Sequence, residues 1–297
     1  MYTKPTNCPN PECRFHNGPE GSEQLYGENR FWVKRGFYKT KHDHRAVPRY
    51  SCRACGRYFG SRAGSPTAGQ HKPYVNKHVF GMLCSGMTLR RTAKVAGIAK
   101  RTVERKFRWL ATRAAQAHKE TLRNGNMDTS FIQFDDMESV EHTKLKPVMV
   151  TLAVRAKTGQ IIDARVGSIT CKHRKADSEH RYGKRSDDRT RVRREVLESV
   201  ALCAKPGATV VTDGLRYYRK LITEIVPGAT HKPYKSRGRR NERGFDPLFR
   251  LNHTCAKLRA DIARLRRKTW CISKLASRLQ DHLYLYIAWQ NGYSITQ

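Results

Sequence analysis

Acidic residues are scarce in this chain. Over 297 residues, 25 Asp and Glu stand against 59 Lys and Arg, a net charge of +34. Such an imbalance reports on partners and solubility rather than on fold, and it points to a polyanion. Long apolar runs are also missing. Nothing approaches the roughly 18 residues that a membrane span needs. The basic residues are spread along the whole chain, not massed on one amphipathic helix, which argues against a membrane surface and for nucleic acid. The first residues, Met-Tyr-Thr-Lys-Pro-Thr-Asn, hold no apolar signal core, so the expected location is cytoplasmic and nucleoid-associated. Tightly paired cysteines are few: of nine, an odd number, only four are close in pairs. That excludes a disulfide framework and favours a metal site plus scattered thiols in a reducing compartment. No internal repeat is present.

What is there divides into segments. Residues 1–60 are rich in Pro, Gly, Asn and Cys and hold short aromatic strands at 30–33, 49–51 and 57–59. Residues 61–73 read as a linker. Helical periodicity occupies 74–123, and 124–129 reads as a second break. Strand patterns follow at 130–134, 147–155 and 160–166, the last two joined by a tight hairpin at Lys157-Thr158-Gly159. A polar basic stretch, 168–188, reads as an exposed loop. Then come a helix near 190–204, a strand at 208–212, a helix at 215–225 and a short strand near 230–234. A basic loop at 236–244 and helices at 248–268 and 273–290 complete the chain.

Cys8-Pro-Asn-Pro-Glu-Cys13 and Cys52-Arg-Ala-Cys55 form two knuckles, and Zn²⁺ takes four such thiolates in a tetrahedron. The intervening segment is too small to fold without a staple, so a structural zinc ribbon is expected. In the helical segment, Thr88 is placed to cap a helix over 89–96, Gly97 to make a turn, and a further helix to begin near Lys100. This is the spacing of a DNA-binding helix-turn-helix. Lys100, Arg101, Thr102 and Arg105 would face the groove, and Arg90, Arg91 and Lys94 the phosphates.

Two aspartates close apolar runs. Asp135 follows Ser-Phe-Ile-Gln-Phe and Asp213 follows Ala-Thr-Val-Val-Thr. Carboxylates facing a polyanion repel it unless a cation lies between. Mg²⁺ held against a phosphodiester satisfies both, and makes the chain a nucleic-acid-cutting enzyme. A third oxygen ligand is expected on the helix after the last strand. There Leu251, Cys255, Leu258, Ile262 and Leu265 form the core stripe, and Asn252, Arg259 and Arg266 share a line beside it. Asn252 offers an amide oxygen; Arg259 and Arg266 suit phosphates. Glu242 and Asp246 are the other candidates. Asp136 points to the strand face opposite Asp135.

The order of three strands, helix, strand, helix, strand and helices resembles the ribonuclease-H-like fold, which implies that Asp135 and Asp213 lie on neighbouring strands. The cysteine ribbon, the helix-turn-helix, Gln-Phe-Asp-Asp-Met-Glu-Ser, Val-Thr-Asp-Gly and the run Leu251 to Lys274 together resemble the bacterial insertion-sequence transposases with an N-terminal zinc ribbon. The resemblance covers most of the chain, and Arg-Lys-Thr-x-Cys-x-Ser is its most specific part. It implies an α+β multidomain protein: zinc ribbon over 1–60, linker over 61–73, helix-turn-helix over 74–123 and a ribonuclease-H-like core with a mixed sheet over 130–297. It implies a DDE-type transposase using Mg²⁺ or Mn²⁺, with Asp135 and Asp213 as the first two acids. Asn252 stands where many relatives carry Glu, with Arg259 as the basic residue beyond it. Duplex DNA, as element ends and target, and a dimer or larger assembly are the implied partners. The alternative is a transposase-derived DNA-binding protein without catalysis, Asn252 being the lesion.

Overall fold

The computed structural model describes residues 4–296 except 22, 41–43, 45, 62, 64, 235–245 and 267–269. The chain forms two compact units, residues 1–74 and 75–296. Among the described residues no helix is long and apolar enough to cross a membrane.

In the first unit a short helix α1 (Glu23–Tyr26) precedes an antiparallel sheet of β1 (Trp32–Lys39), β2 (Ala46–Cys52) and β3 (Tyr58–Gly60), in that order. Its core is small: Phe31, Trp32, Tyr50 and Phe59 with Cys8, Cys13 and Cys52. Trp32 meets Tyr50 edge-on at 4.9 Å between centroids. Strand β1 runs further than its sequence suggests, because from Lys34 onward its side chains are exposed and give no alternation to read.

The second unit begins with α2 (Asn76–Cys84), α3 (Leu89–Val95) and α4 (Lys100–Arg123). Thr88 caps α3, its Oγ1 accepting from the Arg91 N–H at 3.2 Å. Gly97, at φ +60°, makes the turn into α4. Helix α4 buries Val103, Phe107, Leu110, Ala111, Ala114, His118 and Leu122 over its full length. It passes through residues 124–128 into β4 (Thr129–Val140), followed by β5 (Pro147–Arg155), β6 (Ile161–Ser168), α5 (Lys175–Tyr182), α6 (Arg189–Ala201), β7 (Ala204–Thr212), α7 (Arg216–Ile225), β8 (Thr230–Pro233), α8 (Phe249–Asp261) and α9 (Ala276–Asn291).

The five strands form one mixed sheet in the order β6-β5-β4-β7-β8. β6, β5 and β4 are antiparallel neighbours; β7 runs parallel to β4, and β8 parallel to β7. One face, with Ile132 and Phe134, buries Val196, Leu197 and Val200 of α6 and Tyr218, Leu221 and Ile222 of α7. The other, with Val148, Val150 and Leu152, buries α2, α4, Leu251, Cys255 and Leu258 of α8, and Leu279 and Leu283 of α9. The sheet is thus a layer with apolar helices on both sides.

Two elements depart from the sequence reading. The stretch expected as a loop at 168–188 contains α5. Only Ser178 of that helix is buried, so it has no apolar stripe; Arg174–Asp177 and Lys175–Glu179 pairs lie along it instead. Helix α8 stops at Asp261, well before 268. The Asp261 carbonyl accepts from Gly86 N–H at 2.6 Å and the Ala260 carbonyl from Arg266 Nη2 at 2.9 Å. Outside partners take the carbonyls that another turn would need. Ile262 and Leu265 are still buried, just past the helix end.

Candidate metal centres

Among the described residues one cluster, of four cysteines in the first unit, could hold a metal ion, and a pair of carboxylates, Asp135 and Asp213, meets in the second. In the first, the turns around each cysteine pair aim the thiols inward. Cys13 N–H donates to Asn10 O at 3.1 Å, and Gly56, at φ +69°, donates to Cys52 O at 2.9 Å. The four sulfurs of Cys8, Cys13, Cys52 and Cys55 lie within 4.8 Å of one another. Cys8 and Cys55 are 3.6 Å apart, and Cys13 and Cys52 3.7 Å. A tetrahedron of about 2.3 Å Zn–S bonds has edges of about 3.8 Å, so the donor set suits zinc. Burial pushes the Cys8 thiol up to about 12. At Cys55 burial also opposes ionisation, but the Arg57 N–H, the Asn10 side chain and the neighbouring thiols outweigh it and bring the group down to about 7. The four thiols could hold a metal ion such as zinc. His16 is not among the clustered donors; its Nδ1 lies 3.0 Å from the Cys8 carbonyl.

The carboxylate pair meets where β7 ends beside β4. Their register pairs Phe131 with Thr209, Ile132 with Val210 and Gln133 with Val211. Asp213 follows directly on β7, level with Asp135 on β4. The Asp213 Oδ1 accepts from Leu215 N–H at 3.1 Å, fixing a turn in which Gly214 adopts φ +88°. Asp135 Oδ1 accepts the Asp136 N–H at 2.7 Å. The Asp135 carboxyl is pushed up to about 7, first by burial and then, against that N–H bond, by the charges of Asp213 and Asp136. A cation between two carboxylates crowded in this way would relieve their mutual repulsion.

Asp136 has a different environment, on the α6/α7 face. Thr151 Oγ1 donates to its Oδ1. Arg193 Nε, at 2.8 Å, and Tyr218 OH, at 2.9 Å, donate to its Oδ2. Tyr218 OH lies 3.5 Å from Asp135 Oδ1, and the Arg193 guanidinium lies 5.2 Å from the Tyr218 ring centroid. Tyr218, Arg193 and Thr151 come from α7, α6 and β5. No spacing in the sequence connects them, so only the fold reveals them.

The remaining sequence candidates are placed as follows. Gln133 fastens α8 to β4: its Nε2 donates to Pro247 O at 2.7 Å and its Oε1 accepts from Leu251 N–H at 2.8 Å. Asp135 is the next residue on that strand face, and Cys255 lies one helical turn beyond Leu251. The Cys255 thiol is raised to about 11, by burial first, lowered by Arg259 and raised by Asp135. Asn252 and Arg259 flank Cys255 on the helix surface. Asn252 is exposed and its Nδ2 donates to Asp246 Oδ2 at 2.8 Å; Asp246 Oδ1 accepts from Leu248 N–H, so Asp246 serves the start of α8. Asn252 makes no hydrogen bond to Asp135 or Asp213 among the described residues. Glu242 lies outside them. Arg266, expected on the line of Asn252 and Arg259, is beyond the helix end and folds back on Ala260 O. Arg90, Arg91, Lys94, Lys100, Arg101 and Arg105 are exposed, Thr102 half-buried, and Lys100 pairs with Glu104 at 3.0 Å.

No protein-family model matches the chain, and no curated protein matches it.

Proposed function

We propose that the chain is a metal-dependent DNA transposase of the DDE type, in its Asn variant. The observation that carries this reading is the approach of Asp135, within β4, to Asp213, just past the end of the adjacent parallel β7, with the Asp135 carboxyl pushed up to about 7 by burial and by the charge of Asp213. Crevices at strand ends of open sheets are where ligands bind. The order of three antiparallel strands followed by two parallel ones supports a ribonuclease-H-like core. Exposed cations on α3 and at the start of α4 support a helix-turn-helix that reads duplex ends, and the four clustered cysteines support a structural zinc ribbon.

In this reading Asp135 and Asp213 supply anionic oxygens, Asn252 a neutral one, and Arg259 a phosphate clamp. A divalent cation held by these groups would supply Lewis-acid activation of water and charge shielding at the leaving oxygen. Water adds to phosphorus as the P–O3′ bond at the element end breaks and the 3′-oxygen takes a proton. The freed 3′-hydroxyl then attacks a target phosphodiester and displaces its 3′-oxygen. Joining two ends calls for a dimer or a larger assembly. The test uses duplexes bearing the inverted repeats that flank the reading frame. Asp135→Ala and Asp213→Ala are expected to abolish Mg²⁺-dependent nicking while duplex binding persists. Nicking that survives in both variants refutes the assignment. Binding without nicking by the unaltered protein, in Mg²⁺ or Mn²⁺, leaves the DNA-binding alternative, which the Asn252–Asp246 hydrogen bond favours.

A further inference from the structure

We infer that Tyr218, anchored by Asp136 and Arg193, is a positioning residue that fixes the orientation of Asp135 for cation binding. The inference rests on the reading that Asp135 and Asp213 hold a divalent metal. Neighbouring residues on a strand face opposite ways, and the two carboxylates have correspondingly different partners. Asp136 accepts from Thr151, Arg193 and Tyr218, so both its oxygens are engaged and its charge is matched. It is a poor candidate for a metal ligand. Asp135 is held from one side only. Its Oδ1 takes the Asp136 N–H and faces the Tyr218 hydroxyl, while its Oδ2 has no hydrogen-bond partner among the described residues.

The position of Tyr218 ties the two acids together. Asp213 accepts the N–H of Leu215, the residue before α7, and Tyr218 lies in the first turn of that helix. The ring is 1% exposed, sits edge-on to Phe134 at 5.1 Å and lies beneath Arg193. One short rigid segment, 213–218, therefore begins at one carboxylate and ends with a hydroxyl against the other. A purely apolar role would need the ring alone. The hydroxyl adds a fixed polar contact to Asp135 and a charged anchor in Asp136. Partners of this kind, behind a metal ligand, set its orientation, and their loss weakens metal affinity.

Tyr218→Phe keeps the ring and removes only the hydroxyl. Binding of Mn²⁺ to the full-length, DNA-free protein, followed by electron paramagnetic resonance, is expected to weaken about tenfold. The Mg²⁺ concentration for half-maximal nicking should rise in proportion, while kcat at saturating Mg²⁺ and duplex affinity stay near their original values. Asp136→Asn, which strips the charged anchor, is expected to weaken Mn²⁺ to a similar degree. Asp135→Ala and Asp213→Ala should abolish binding. If Tyr218→Phe and Asp136→Asn bind Mn²⁺ like the unaltered protein while the alanine variants do not, the positioning role is wrong and the metal site stands. Complete loss in Asp136→Asn makes Asp136 a ligand and also overturns the inference. Unchanged Mn²⁺ binding in both alanine variants removes the metal site and this inference with it.

Discussion

A carboxyl raised to about 7 destabilises the protein that carries it. An unfolded Asp ionises near 3.9. Between that value and about 7 the folded state of Asp135 binds the extra proton, so stability falls as pH rises through this window and stays reduced above it. Asp135→Asn keeps the acceptor for the Asp136 N–H and removes the charge. The metal-free variant is expected to be more stable than the unaltered protein at pH 8, by about 1–3 kcal/mol, with the difference shrinking toward pH 4. Added Mg²⁺ should stabilise only the unaltered protein. Thermal melts across pH would show this; a difference independent of pH would contradict the buried, crowded carboxyl. Asp163 on β6 is a useful contrast. Fully buried, it is pushed up by desolvation, yet His118, Arg165 and Ser199 hold it below the ordinary carboxylate range. The two acids at 135 and 213 stood out in the sequence because each closes an apolar run. Asp163 and Tyr218 did not, because their partners lie on distant segments.

At the scale of elements, the sequence carried the helices with apolar stripes and lost those without. The spacing of Val103, Phe107, Leu110 and Ala114 in α4 is plain in the chain. The end of α8 is not, since it depends on Gly86 and Arg266 taking carbonyls from outside the helix. α5 was missed because charge pairs, not an apolar face, accompany it. The exposed start of α4 gives an electrostatic expectation. Arg101→Ala and Arg105→Ala should each weaken duplex binding across all sequences if they contact phosphates, lowering the slope of log K against log salt by about 0.9. A loss confined to particular bases would instead mark a direct reader of the groove. Lys100 is half-spent on Glu104, so its removal should matter less. Titrations at several salt concentrations decide between these outcomes, and no change in either Arg variant would remove α4 from the interface.

The whole chain holds two units of unequal self-sufficiency. The unit over 75–296 has a five-stranded sheet covered on both faces by apolar helices. Among its described residues the unit over 1–74 buries four aromatic residues together with Cys8, Cys13 and Cys52. So small a core does not sustain a fold without a crosslink or a metal. Stripping bound metal with a strong chelator, or substituting Cys52→Ser, should unfold this unit and leave the other's thermal transition in place. Metal analysis with calorimetry checks it: a chelated protein that keeps all its transitions would show that the thiols pack without an ion. The cysteine spacing alone announced this cluster, whereas the exposed basic, aromatic length of β1 gave no signal.

Helix α4 has a consequence for distance along DNA. It is 24 residues, about 36 Å, of unbroken rod, with exposed cations at one end and His118 seated beside Asp163 of the sheet near the other. The short turn at 124–128 buries Met127. A double helix held at the rod's tip, as the proposed function has it, would be set at a fixed offset from Asp135 and Asp213. On the proposed reading the helix would act as a ruler: the interval from the gripped sequence to the cleaved bond would be set in base pairs by the length of α4, and a half-turn inserted into that interval would carry the bond to the far side of the duplex.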